Sequence, residues 1–153
     1  MQSVHDAYQA PTAPLASGVT ATEQAPTHPI LVGYLYWILG IFGAHRFYFG
    51  RPVTGVIWFF TGGLLLIGWI VDAFLIPSMS EEAGRRYRRG PYDYTIAWVL
   101  HTFLGVFGVH RFYLGKIVTG VVFLLTGALF GVGLIYDLLT LNEQIDDLNR
   151  GSV

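Results

Sequence analysis

Residues Gly40–Ile76 read GIFGAHRFYFGRPVTGVIWFFTGGLLLIGWIVDAFLI, and Gly105–Leu141 read GVFGVHRFYLGKIVTGVVFLLTGALFGVGLIYDLLTL. Laid over each other without a gap at an offset of 65 residues, they agree at 18 of 37 positions. The agreement falls on Gly, Thr, Asp and the triplet His-Arg-Phe rather than on interchangeable hydrophobes, so one structural unit has been duplicated. Everything else in the chain is arranged around these two copies.

Composition places the unit. With 53% hydrophobic and 12% charged residues and a mean hydropathy of +0.50, the chain is too apolar for a soluble domain of 153 residues. The net charge of -1 gives no global electrostatic instruction, and the lack of cysteine excludes disulfides and thiolate metal sites. Residues 1–29 hold four prolines, no Lys or Arg, and many Ala, Thr and Ser. They are expected to form a disordered tail that carries no secretory leader.

Four apolar segments follow: Ile30–Ala44, about Val53–Ile76, Thr95–Val109 and about Ile117–Leu141. The long ones meet the roughly 20 residues that a crossing needs, and the short ones reach across if the aromatic residues after them sit at the boundary, the alternative being that the short ones are re-entrant. The short connections HRFYFGRPVTG and HRFYLGKIVTG fold each pair back on itself. The expected fold is an all-α membrane protein with four transmembrane helices, built as two tandem helical hairpins that are parallel rather than inverted repeats. Its parts are a first hairpin domain over 30–77, a charged linker over 78–93, a second hairpin domain over 94–142 and a C-terminal tail over 143–153. Arg85, Arg86, Arg88, Arg89 and Arg150 then share one side and Arg46, Arg51, Arg111 and Lys116 the other; Arg46 and Arg111 belong to the repeated motif, which leaves five freely placed charges against two. This puts both termini in the cytoplasm under the positive-inside pattern.

The polar residues repeated between copies are the candidate sites. Thr54, Thr61, Gly68 and Asp72 fall within about 40° of one another on a straight helix, as do Thr119, Thr126, Gly133 and Asp137, so each set is expected to form a helix–helix seam. Asp72 lies 17 residues beyond Gly55, a rise of about 26 Å on a straight helix, which separates the aspartates from the His-Arg pairs by nearly a full crossing. A His–Asp or Arg–Asp pair inside one hairpin is therefore not expected. His45, Arg46, Phe47 and Tyr48, with His110, Arg111, Phe112 and Tyr113, are expected to cap helix ends, meet lipid phosphates and anchor the turn at the interface. One His per copy supplies too few ligands for a metal. His101 replaces Tyr36 of the first copy and is expected to be a buried, hydrogen-bonded histidine.

The linker pairs Glu81 with Arg85 and Glu82 with Arg86 at helical spacing before Gly90-Pro91, which reads as a short surface helix. Arg85, Arg86, Arg88 and Arg89 are expected to act as a topology determinant that holds the linker on the cytoplasmic side; the alternative reading is a lipid-facing basic cluster that recognises anionic lipid. After Leu141 the last helix is expected to continue as an amphipathic tail.

The pattern Gly-x-Phe-Gly-x-His-Arg-Phe-Tyr-(Phe/Leu)-Gly, followed by a Gly-containing helix and an Asp near its end, resembles the two-transmembrane "TM-two" domain family. The resemblance covers about 30–77 and 94–142, so it implies a tandem pair of membrane hairpins with the triplet at 45–47 and 110–112. Both copies carry His where receptor-like animal members carry Asp, which is similar to the prokaryotic members. No nucleophile–base set, phosphate loop or cofactor motif accompanies it. The expectation is a small integral protein of the cytoplasmic membrane with a structural or interaction role. It has no enzyme activity, no cofactor, no metal and no nucleic-acid partner. Its partners are the lipid bilayer and another membrane protein or a further copy of the chain. The alternative is an ion or proton transport element using Asp72 and Asp137.

Overall fold

The structure, a computed structural model, describes residues 26–40 and 42–151. The first copy comprises α1 (Ile30–Leu39), α2 (Ala44–Tyr48), α3 (Pro52–Leu65) and α4 (Ile67–Arg86). The second comprises α5 (Tyr94–Leu104), a 3-10 turn over Gly105–Phe107, α6 (Val109–Tyr113), α7 (Ile117–Phe130) and α8 (Val132–Gly151). Local chemistry sets several boundaries. Gly43 and Gly108 take φ of 88° and 70° just before α2 and α6, a left-handed geometry that swings each short helix under the preceding one. Pro52 opens α3 at a position where no N–H is needed. Asp93 caps α5 by accepting from the Ile96 N–H at 3.0 Å.

The long apolar segments are not straight. Residues Gly62 to Leu66 all have positive φ, as do Gly127 to Gly131, so each segment reverses and α3 folds back on α4 as α7 does on α8. Leu64, Leu65 and Leu66 in the first copy and Ala128, Leu129 and Phe130 in the second are non-glycine residues in this region. The geometry costs about 1–2 kcal/mol for each. A repeated threonine supports each turn: Thr61 Oγ1 accepts from the Leu64 N–H at 3.1 Å and donates to the Ile57 carbonyl at 2.7 Å. Thr126 does the same with Leu129 at 2.9 Å and Val122 at 2.6 Å.

Among the described residues, none of the four expected crossings is a single unbroken helix. Among the described residues no single helix is long and apolar enough to span a membrane; α7 and α8 qualify only as a pair, bent by 118°. The architecture is all-helical, with eight α-helices among the described residues. The straight-helix seam is also broken, since Thr54 and Thr61 lie before the reversal and Gly68 and Asp72 after it.

The linker and tail are parts of the fold. Residues 77–86 form the second half of α4, which runs through Pro77. The Ala73 carbonyl, which Pro77 cannot serve, accepts instead from the Tyr34 hydroxyl at 3.0 Å. Beyond Leu141, α8 continues to Gly151 with Asn142, Ile145, Asp146 and Asn149 buried. Of the expected N-terminal tail, residues 1–25 lie outside the described residues, while His28 is fully buried against the rings of Tyr48, Tyr87 and Tyr94. One core joins the copies, with Tyr36, Tyr48, Ile76 and Met79 from the first packed against Trp98, Leu114, Leu141 and Ile145 from the second.

Candidate functional site

The reversals bring together groups that a straight helix would hold apart. His45 and Arg46 on α2 reach Asp72 in the second turn of α4: His45 Nε2 donates to Oδ2 at 2.7 Å, Arg46 Nε to the same oxygen at 2.8 Å, and Arg46 Nη2 to Oδ1 at 2.5 Å. The second copy repeats the arrangement, His110 and Arg111 donating to Asp137 at 2.7, 2.8 and 2.6 Å. Both aspartates and both histidines are fully buried, and the arginine side chains are nearly so. We call each arrangement a clasp. It overturns the expectation that His-Arg and Asp lie on opposite membrane faces, because the rise of about 26 Å held only for an unbroken helix.

An aromatic lid closes each clasp. The Arg46 guanidinium lies 3.6 Å from the centroid of Trp58, and Arg111 lies 3.9 Å from that of Phe123. The repeated glycines Gly68 and Gly133 make room for these rings: a Cβ at Gly68 would come within 2.8 Å of Trp58, and one at Gly133 would meet the Phe123 ring. Gly68 and Gly133 are thus close-approach positions between the arms of a hairpin. Each guanidinium is neutralised by a bidentate carboxylate and stacked on a ring, which is how a charge is kept in an apolar interior.

The remaining motif residues tie the clasp to the rest of the molecule. Phe47 and Phe112 lie against Gly55 and Gly120. The Tyr48 hydroxyl is 3.0 Å from Thr95 Oγ1, and the Tyr113 hydroxyl accepts from the Asp93 N–H at 2.8 Å. Both tyrosines therefore bond within the protein, where boundary anchors were expected. Thr54 and Thr119 return their hydroxyls to the carbonyls of Arg51 and Lys116.

The four linker arginines do not act as one set. Arg85 faces Glu81 at 3.9 Å, while Arg86 donates to the Gly50 carbonyl and to Glu143 at 3.0 and 3.1 Å. Glu82 pairs with Arg51 instead of Arg86. The Arg88 backbone N–H donates to Asp146 at 2.8 Å, and Arg89 is exposed.

Donor atoms of His101, His110 and Asp137 fall within 4.8 Å of one another. Ligands at the roughly 2.1 Å reach of zinc are at most about 4.2 Å apart, and Asp137 already accepts from His110, Arg111 and Gln144. Asp137 is thus engaged by the ion pair, while Nδ1 of His110 is buried without a hydrogen-bond partner. His101 is buried as expected, yet its Nδ1 has no hydrogen-bond partner. It lines an apolar cavity of about 470 Å³ between the copies, together with Leu35, Tyr36, Val99, Leu134 and Leu138.

Three residues of consequence were missed by sequence reasoning. Asn142 takes the position of Pro77 in the second copy; its Nδ2 donates to the carbonyls of Phe47 and Tyr48 at 3.1 and 2.9 Å, and its Oδ1 accepts from Trp98 Nε1 at 2.6 Å. His28 lies 3.4 Å from the same Oδ1, and burial pushes the pKa of its imidazole down to about 4. Gln144 donates to Asp137 at 3.0 Å and accepts from Lys116 at 2.5 Å.

The TM2 domain family model matches twice, over residues 26–74 and 90–139. A TM2 domain-containing protein of Dictyostelium discoideum is 48% identical over 59 residues, 38% of this chain and 39% of the relative. Another from the same organism is 58% identical over 41 residues, 27% of this chain and 30% of the relative. One from Caenorhabditis elegans is 38% identical over 53 residues, 35% of this chain and 13% of the relative. The chain thus aligns with well under half the length of these curated relatives. No solved structure matches.

Proposed function

The chain belongs to the TM2 domain family, which it carries as a tandem pair, and on that footing we propose that it is a small protein of the cytoplasmic membrane with a structural or interaction role and no catalysis. One observation carries the proposal: each of the two ionisable groups that a transport role would need is committed on both oxygens, to a bidentate arginine and a histidine. A carrier carboxylate must exchange its proton or ion at a water-filled path. These carboxylates hold helices together, and they leave the outer faces of the helices free to meet lipid or another membrane protein. Apolar side chains dominate those faces, among them Phe60, Phe74 and Phe130 at 81%, 81% and 94% exposure.

Reconstitution tests this. Liposomes holding the intact chain are expected to show no proton or cation flux above empty liposomes, and mild-detergent extraction is expected to recover the chain with a stoichiometric protein or lipid partner or as a defined self-assembly. Flux that Asp72→Asn abolishes while the helical circular dichroism stays unchanged would establish the transport reading instead.

A further inference from the structure

The lengths of the apolar helical runs agree with one another and fall short of a bilayer. In α4, Ile67–Ile76 is apolar apart from Asp72 and is followed by the polar PSMSEEAGRR; in α8, Val132–Leu141 is apolar apart from Asp137 and Thr140 and is followed by NEQIDDLNRG. Each apolar half holds ten residues, a rise of about 15 Å, which is one leaflet of a hydrocarbon layer about 30 Å thick. Helix α1 also has ten residues and α5 eleven, and the right-handed parts of α3 and α7 before their reversals, residues 52–61 and 117–126, hold ten each, again a rise of about 15 Å.

Polar contacts decide on which side the ends of these helices lie. In a four-crossing arrangement the HRFY turns face one aqueous phase, and the 77–93 segment and the C-terminal half of α8 face the other. Here Arg51 pairs with Glu82, Arg86 donates to the Gly50 carbonyl at 3.0 Å, Lys116 donates to Gln144 at 2.5 Å, and Asn142 donates to the Tyr48 carbonyl at 2.9 Å. Groups in direct contact cannot be on opposite sides of a bilayer. The far ends, by contrast, are apolar and bare: Phe60 and Leu65 are 81% and 84% exposed at one reversal, and Leu125 and Phe130 are 78% and 94% exposed at the other. Backbone that turns in hydrocarbon must have its polar groups satisfied, and Thr61 and Thr126 serve the Leu64 and Leu129 N–H groups at those tips.

We infer that the protein enters a membrane from one face only, the hairpins α3–α4 and α7–α8 dipping through a single leaflet with their reversals near the midplane, and with both HRFY turns, the 77–93 segment and the end of α8 in the same aqueous phase. The inference rests on the membrane reading above. It replaces four crossings with two re-entrant hairpins.

Absence of cysteine makes the test direct. Single variants Val53→Cys and Thr119→Cys mark the HRFY turns, Arg89→Cys marks the linker, and Leu65→Cys and Phe130→Cys mark the tips. Each full-length variant is treated with a membrane-impermeant maleimide in intact cells and in inside-out vesicles of an expression host. The first three are expected to label in the same preparation and not in the other, and the tip variants in neither until detergent is added. A chain with Val53→Cys and Arg89→Cys labelled in opposite preparations spans the membrane, which overturns the inference while the membrane reading stands. Recovery of the chain in the soluble fraction with both tips labelled overturns the two together.

Discussion

The two copies hold the same clasp in different surroundings. In the first, Trp37 and Trp69 stack at 4.2 Å and each indole N–H donates to the other's carbonyl, at 2.8 and 3.0 Å, bolting α1 to α4. Their counterparts are Thr102 and Leu134, which form no such bolt; Thr102 turns its hydroxyl to Tyr36 of the first copy at 2.8 Å. Pro77, which closes off a backbone donor, becomes Asn142, which donates to α2. The first copy is thus stabilised from within, and the second spends the same positions on contacts to the first. What the copies share is what a single hairpin requires, namely His, Arg, Asp, the turn threonine and the close-approach glycines. Where they differ is where one copy recognises the other.

The largest effect tests the shared part. Asp72→Asn and Asp137→Asn each leave a buried guanidinium without its counter-charge, and each is expected to lower unfolding free energy by about 3–5 kcal/mol. Denaturant titration in detergent, followed by tryptophan fluorescence, measures it. Similar losses at the two sites support the equivalence of the clasps. A loss at Asp137 under half that at Asp72 would show that Gln144 compensates and break the symmetry.

The next effect belongs to the seam between copies. His28 is buried neutral with its pKa near 4, against about 6.5 unfolded. Its folded value is depressed, so above pH 6.5 it leaves stability unchanged. As pH falls from about 6.5 to about 4 the unfolded chain takes up a proton that the folded one refuses, and stability declines by roughly 3 kcal/mol in full. His28→Gln is expected to flatten the melting-temperature profile in that window relative to the parent chain. Equal slopes for the two proteins would place His28 in water rather than in the core.

Asn142→Ala follows at about 2 kcal/mol, since it strips an acceptor from Trp98 Nε1 and a donor from the Phe47 and Tyr48 carbonyls, all in the interior. A loss confined to the second copy's amide protection in hydrogen exchange would contradict its place as a bridge; protection is expected to fall in α2 and α8 together.

The sequence announced the duplicated unit and the helices, and it marked His45, Arg46 and Asp72 as repeated polar groups, because identity at polar positions inside apolar segments is hard to explain otherwise. It misplaced them relative to one another because the depth argument assumed an unbroken helix through Gly62-Gly63. Only Gly127 matches in the second copy, where Ala128 stands opposite Gly63. Glycine pairs are common in membrane helices, so nothing local marked five consecutive residues of positive φ. The sign that was present was the repeated Thr61 and Thr126, each one residue before its reversal, taken for a packing stripe when each is a turn cap. Asn142 was invisible for the opposite reason. It breaks the repeat, and attention to identities passes over the positions where the copies differ.

The smallest effect concerns the ring that closes the clasp. Trp58 stacks on Arg46 but its buried Nε1 has no hydrogen-bond partner, whereas Phe123 covers Arg111 without a polar atom to satisfy. Trp58→Phe therefore gives up some cation–π attraction, about 0.5–1 kcal/mol, and relieves an unsatisfied donor of comparable cost. The two terms oppose each other, so the net change is expected to stay within about 1 kcal/mol. A loss above about 2 kcal/mol, in the same denaturant titration, would mean that Trp58 bears on more than Arg46 and that the aromatic positions of the two copies are not interchangeable. Such a result would confine the equivalence of the copies to the ion pairs alone.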